Sequence, residues 1–215
     1  MTVIGLVGSG EIGSSVARAA LDHGYEVVIS NSRGPESLTG LVGDLGPQAR
    51  AGTTADAVRA GDLVLVAIPL KNIFDLDPAP FTGKIVIDAD NYYPQRDGQI
   101  PALDDESTTT SELLQAHLPK AKVVKAFNHI VAAEILSTAQ PAGLPGRRAL
   151  VVAGDDQAAK DQVAAFIDAI GFDVLDLGQL SEGWRIQRDT PGYTQHRDLA
   201  GLRADVAAAK RYADM

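Results

Sequence analysis

The chain has 215 residues, 28 acidic and 19 basic, which gives a formal charge of −9 with histidine neutral. Such a surface repels phosphate backbones and argues against a nucleic-acid partner. A composition of 45% hydrophobic and 22% charged residues fits a packed globular chain and not a disordered or fibrous one. Cysteine is absent, which excludes disulfides, thiol catalysis, zinc–thiolate sites and iron–sulfur clusters.

The first residues, MTVIGLV, carry no basic leader and read as a strand at 3–7. No apolar run approaches the roughly 18 residues that cross a bilayer, so the expectation is a soluble, cytoplasmic protein with no membrane partner. Short runs rich in Val, Ile and Leu recur at 26–29, 63–68, 85–87, 123–126, 149–153 and 174–177, with a weaker strand at 48–51. They lack polar alternation, as strands covered on both faces do. Helical stretches lie between them at 11–23, 35–45, 54–60, 111–117, 131–137 and 156–170. In the last of these, Val163, Phe166, Ile167 and Ile170 form one apolar stripe. The polar segment 91–110 reads as a long surface loop and 178–193 as irregular, before a final helix near 198–212. Strand–helix alternation of this kind predicts an α/β fold. It should be a doubly wound, mostly parallel Rossmann-type sheet of about eight strands, closed by a C-terminal helix. Residues 1–215 read as a single domain, with 178–215 as a loop and helix packed on it.

Gly8-Ser9-Gly10-Glu11-Ile12-Gly13 is a GxGxxG placed where the first strand ends and the first helix begins. In that context Gly8 allows the tight turn, Gly10 the approach of backbone to a pyrophosphate, and Gly13 close packing of helix on strand. The helix N-terminus adds free N–H donors for a diphosphate. An NAD site expects a carboxylate about 20 residues further on. This chain has Ser30-Asn31-Ser32-Arg33 there, a set of donors suited to a 2′-phosphate, so NADP(H) is expected.

These residues belong to a wider pattern. The blocks at 4–13, 30–36 (SNSRGPE), 62–71 (DLVLVAIPLK), 86–93 (VIDADNYY) and 123–130 (VVKAFNHI) resemble the NADPH-dependent deazaflavin coenzyme (F-420) reductase family, and also the related reductase domain of metalloreductases. The resemblance implies that Ser9, Ile12, Ser32 and Arg33 help bind NADP, and that Ile68, Pro69 and Leu70 run beside the nicotinamide ribose. It also implies that Asn91, Asn128 and His129 lie near the nicotinamide or its hydride partner, with Asn128 and His129 as the candidate catalytic residues. F-420 is then the implied co-substrate. The likeness fades after Asp176. Family members end in a small-residue acidic stretch beside the deazaflavin, whereas this chain has the bulkier, more basic 180–193 with Trp184, Arg185 and Arg188. A small carbonyl, imine or flavin is therefore a rival acceptor, and an NADP-binding sensor without turnover is a third reading.

Remaining candidates carry two roles each. His129 is either a structural ring or a donor to the nicotinamide amide or acceptor ring. Asp88 and Asp90 either cap backbone or supply a carboxyl to the cleft. Trp184 either packs in the core or walls the substrate pocket. No two histidines share metal-ligand spacing on one face, so no metal is expected. A small-molecule substrate and a homodimer complete the expected partners.

Overall fold

The computed structural model describes residues 1–214. Eight strands form one sheet: β1 (Val3–Val7), β2 (Glu26–Ser30), β3 (Ala49–Ala51), β4 (Leu63–Val66), β5 (Ile85–Asp88), β6 (Lys122–Lys125), β7 (Ala149–Gly154) and β8 (Asp173–Asp176). Their order is β3-β2-β1-β4-β5-β6-β7-β8, parallel throughout except where β7 runs antiparallel to β6. This is the doubly wound α/β architecture, with the order reversing between β1 and β4.

Burial on both faces explains the apolar strands. In β4, Leu63 and Leu65 face a core shared with α1 (Glu11–Asp22), α2 (Thr39–Leu45), the short α7 (Glu134–Ser137) and α8 (Gln157–Ala169). Val64 and Val66 face the opposite core, with α3 (Thr54–Ala60) and α6 (Thr110–His117). A third cluster seats Leu202 of α9 (Leu199–Ala208) on Val151 and Leu175. The predicted stripe on α8 is wholly buried.

Register sets the site. Val7 pairs with both Ser30 and Val66, Val66 with Asp88, and Asp88 with Lys125. The C-terminal ends of β2, β1, β4, β5 and β6 thus form one row, and the residues just past it share one edge.

Several boundaries differ from the sequence reading. Segment 91–110 is not a plain loop: α4 (Pro94–Asp97) and α5 (Pro101–Asp104) are single turns. Each begins on a proline, whose fixed φ suits the first helical position. The helix expected at 131–137 shrinks to α7, and that expected at 35–45 opens with a 3-10 turn, Pro35–Leu38, before α2. The final helix stops at Ala208, and a separate 3-10 turn, Tyr212–Asp214, follows. Residues 180–186, expected to be irregular, form a 3-10 helix. Among the described residues no helix is long and apolar enough to cross a membrane.

Candidate functional site

The loop after β1 is shaped by its glycines. Gly8 has φ 113°, and a Cβ there would lie 2.2 Å from the Ala67 carbonyl oxygen. A Cβ on Gly13 would lie 2.1 Å from the Gly8 carbonyl oxygen, so α1 crosses its own loop at backbone contact. Gly10 is different: no protein atom lies within 4 Å of its would-be Cβ. That open side faces the cleft, and α1 begins at Gly10 without any side-chain cap. Free N–H groups at a bare helix start are an anion cradle. The residues present therefore fit a dinucleotide diphosphate.

The turn after β2 supplies the next wall. The buried Ser30 hydroxyl donates to the Leu6 carbonyl at 2.8 Å, so it braces strands and does not reach a phosphate. Asn31 accepts the Arg33 N–H at 2.9 Å and donates to Ser9 and Ser37, fixing the turn. Ser32 and Arg33 border a cavity of about 460 Å³ together with Gly8, Ser9 and Gly10. Arg33 forms no ion pair among the described residues and is exposed. A guanidinium in that setting suits a 2′-phosphate.

The cleft continues past Gly10 into a second cavity of about 370 Å³, bounded by Glu11, Ile12, Ile68, Pro69, Asp90 and Asn91, with Tyr93 and Arg96 at its far side. Ile68 and Pro69 border both cavities. The Leu70 side chain, by contrast, turns into the core and lines neither. The Asp90 Oδ1 accepts the Ile68 N–H at 2.9 Å, latching that segment to the end of β5. Burial, reinforced by the neighbouring Asp88 charge, pushes the Asp90 carboxyl well above the usual carboxylate range. The Asp88 carboxylate has a structural partner set: Lys125 Nζ at 3.2 Å and the Ser111 hydroxyl.

Asn91 and Asn128 clasp each other. Asn91 Nδ2 donates to the Asn128 carbonyl at 2.7 Å, and Asn128 Nδ2 donates to Asn91 Oδ1 at 3.2 Å and to the Ile186 carbonyl at 3.0 Å. Only Asn91 reaches the cleft; Asn128 is buried behind it and holds it. Phe127, at φ 62°, makes the turn that brings Asn128 there. His129 corrects the sequence expectation. It is 1% exposed and its Nε2 accepts the Val151 N–H at 3.1 Å. Buried and bonded to β7, it takes the structural one of its two expected roles.

Beyond Asn91 lies a third cavity of about 280 Å³, walled by Trp184, Arg188, Arg211 and Tyr212. Trp184 is both core and wall, with the Arg185 and Arg211 guanidiniums 4.5 and 4.7 Å from its ring. Tyr93 links this region to the cleft: its hydroxyl bonds that of Tyr193, and Arg96 and Arg188 sit against its ring. Arg96 was missed in the sequence, and Tyr93 was read there only as the end of the VIDADNYY block. Among the described residues no group of three or more metal-ligating side chains converges.

The fold and the glycine loop define a Rossmann-type dinucleotide-binding protein. Residues 3–92 match the family described as NADP oxidoreductase, coenzyme F420-dependent. The structure of the chain is similar to the hypothetical protein SMa0349 of Sinorhizobium meliloti, at 33% identity and TM-score 0.77, over 91% of this chain and 95% of that one. A protein of Arthrobacter sp. FB24, described as an F420-dependent NADP reductase, is 29% identical with TM-score 0.70, over 83% of this chain and 85% of that one. The metalloreductase STEAP3 of Rattus norvegicus is 28% identical over 186 residues, 86% of this chain and 35% of that protein. The chain spans 35% and 52% of the lengths of the curated relatives STEAP3 and YjhV of Escherichia coli.

Proposed function

We propose that this chain transfers hydride between NADP(H) and the deazaflavin coenzyme F-420. The observation that carries the reading is one cleft along the C-terminal edge of the sheet, running from Arg33 past the bare start of α1 to Asn91. Ligands of open α/β sheets bind outside that edge at the point where strand order reverses. The family description and the Arthrobacter relative support F-420 as the second ligand.

When bound there, NADPH would supply a hydride, and oxidised F-420 would accept it together with one proton from solvent. The chain's own task is orientation, which brings reacting atoms to about 3–3.5 Å. Ser32 and Arg33 hold the 2′-phosphate, the loop and α1 hold the diphosphate, and Ile68 and Pro69 flank the ribose. Asn91, clasped by Asn128, would contact the nicotinamide end of the dinucleotide. With His129 buried, this mechanism uses no histidine acid. A homodimer, the commonest symmetric assembly, is part of this proposal, and light scattering of the purified protein tests it.

Mixing NADPH with the protein and oxidised F-420 should bleach the deazaflavin absorbance rapidly and reversibly, with NADH much poorer. Arg33→Ala should weaken NADPH roughly 10- to 100-fold while leaving NADH unchanged, the loss expected for a charge-assisted contact. Tight NADPH binding with no bleaching would sink the F-420 assignment and favour a small carbonyl, imine or flavin. The wall formed by Trp184 and Arg188 then becomes the place where acceptor choice changed.

A further inference from the structure

Asp90 stands two residues past the row that ends the parallel strands, where β5 opens into the cleft. Its Oδ1 is satisfied by the Ile68 N–H, but its Oδ2 is buried and has no hydrogen-bond partner in the protein. The residue nevertheless borders the half of the cleft beyond Gly10, opposite Glu11 and Ile12 of α1. A buried polar atom without a partner costs free energy, and native structures keep few of them.

Four charged groups face this carboxyl. Asp88 on β5 opposes its ionisation, while Lys125 on β6 and Arg96 on α4 favour it. Glu11 on α1 lies across the same cavity. Lys125 is committed elsewhere, to Asp88, the Asp90 carbonyl and the Thr110 hydroxyl, and Arg96 is held by Asp97. Neither cation pairs with the Asp90 side chain. Burial and Asp88 outweigh them and hold the carboxyl well above the usual carboxylate range, which favours its protonated form. Its proton belongs on Oδ2, because Oδ1 is occupied by a donor.

We propose that Asp90 binds the nicotinamide end of the dinucleotide, its Oδ2 hydroxyl donating to the carboxamide oxygen. The inference rests on the NADP reading of the cleft, but not on F-420. It makes Asp90 a neutral donor that ties the ring to the same residue that latches Ile68. The sign of the pH dependence follows. Affinity for the whole dinucleotide is full while Asp90 is protonated and falls as pH rises through its raised pKa. A ligand lacking nicotinamide is indifferent.

The test compares dissociation constants of NADPH and of 2′,5′-ADP, which lacks the nicotinamide ribose, by calorimetry between pH 6 and 10. Asp90→Ala should weaken NADPH about tenfold at neutral pH, one neutral hydrogen bond being lost. Asp90→Asn keeps an oxygen for Ile68 and turns an amide donor toward the ligand. It should bind NADPH within about threefold of the parent and lose the alkaline decline. Binding of 2′,5′-ADP should change in neither variant. Equal weakening of both ligands would reduce Asp90 to a latch for Ile68 and overturn the inference. So would an alkaline decline that persists in Asp90→Asn, a readout that stands even if Asp90→Ala fails to fold. Absence of 2′,5′-ADP binding to the parent protein would instead overturn the NADP reading itself, and this inference with it.

Discussion

The ring of His129 accepts the Val151 amide at Nε2, which places its proton on Nδ1 and leaves that atom without a partner. Burial, with Arg148 and Lys125 nearby, lowers its pKa from 6.5 to about 3. In the unfolded chain the imidazole takes a proton at its ordinary value, so between pH 6.5 and about 3 the unfolded state binds more protons. The stabilisation is complete above pH 6.5 and is lost as pH falls toward 3, on the order of a few kcal/mol at the acid end. His129→Gln keeps an acceptor for Val151 and removes the titration. Its melting temperature should fall less between pH 7 and 4 than that of the parent, with turnover at pH 7 unchanged within about threefold. An unaltered acid slope would mean that His129 is not the group that titrates. Sequence could mark this histidine but not bury it: the Val151 N–H that holds it and the nearby Arg148 lie about 20 residues further along the chain. Asn128 was legible as a site residue and its role was not, because the clasp with Asn91 spans 37 residues of chain and depends on Phe127, which nothing in the sequence marks as a turn former. The place of Arg33 on the cleft wall was readable because it is set locally, by a turn, a strand end and the spacing from Gly10.

At the scale of elements, the phosphate loop and α1 separate two jobs that one motif performs. Gly13 exists for packing, since any side chain would meet the Gly8 carbonyl at 2.1 Å. Gly10 has open space within 4 Å, so its lack of a side chain serves the ligand and not the fold. Gly13→Ala should therefore lower stability by several kcal/mol, as backbone overpacking does, and Gly10→Ala should leave the melting temperature nearly unchanged. NADPH affinity should drop sharply in Gly10→Ala even so, because the methyl group stands where the diphosphate approaches. A Gly10→Ala protein that binds NADPH normally would refute this division. Most strands were readable to within two residues because both faces are covered and the apolar runs are unbroken, as in β4 with its alternate leucines and valines. The short helices were not. The four residues of α4 are too few to show a helical period, and what fixes them is tertiary: Asp97, with no exposed side chain, accepts the Tyr93 N–H and pairs with Arg96.

For the whole molecule, the question is whether the sheet unfolds as one body at its thinnest joint. Strands β6 and β7 meet antiparallel through two residue pairs only, Val124 with Gly154 and Lys125 with Ala153, whereas β1 and β2 share five. Judged by the ladder alone, β7, α8 and β8 could detach from the nucleotide-binding half. The packing argues the other way. One apolar cluster runs across the joint, from Ile4 and Leu65 through Val124 to Leu150 and Val152. Phe166 of α8 sits at its centre, with ring centroids 6.2 Å from Phe127 and 5.2 Å from Tyr25, both on the far side of the joint. A fully buried aromatic contributes about 3–5 kcal/mol against truncation, well above the roughly 1 kcal/mol of a ladder hydrogen bond. The chain should accordingly melt in a single transition with calorimetric and van't Hoff enthalpies equal, and saturating NADPH should shift that transition upward as one peak. Phe166→Ala removes the bridge while leaving the ladder intact. It should lower stability by about 3–5 kcal/mol and bring out a second, earlier transition that NADPH does not shift. A parent protein that already shows two transitions would mean that the sheet, and not the apolar seam, sets the cooperative unit.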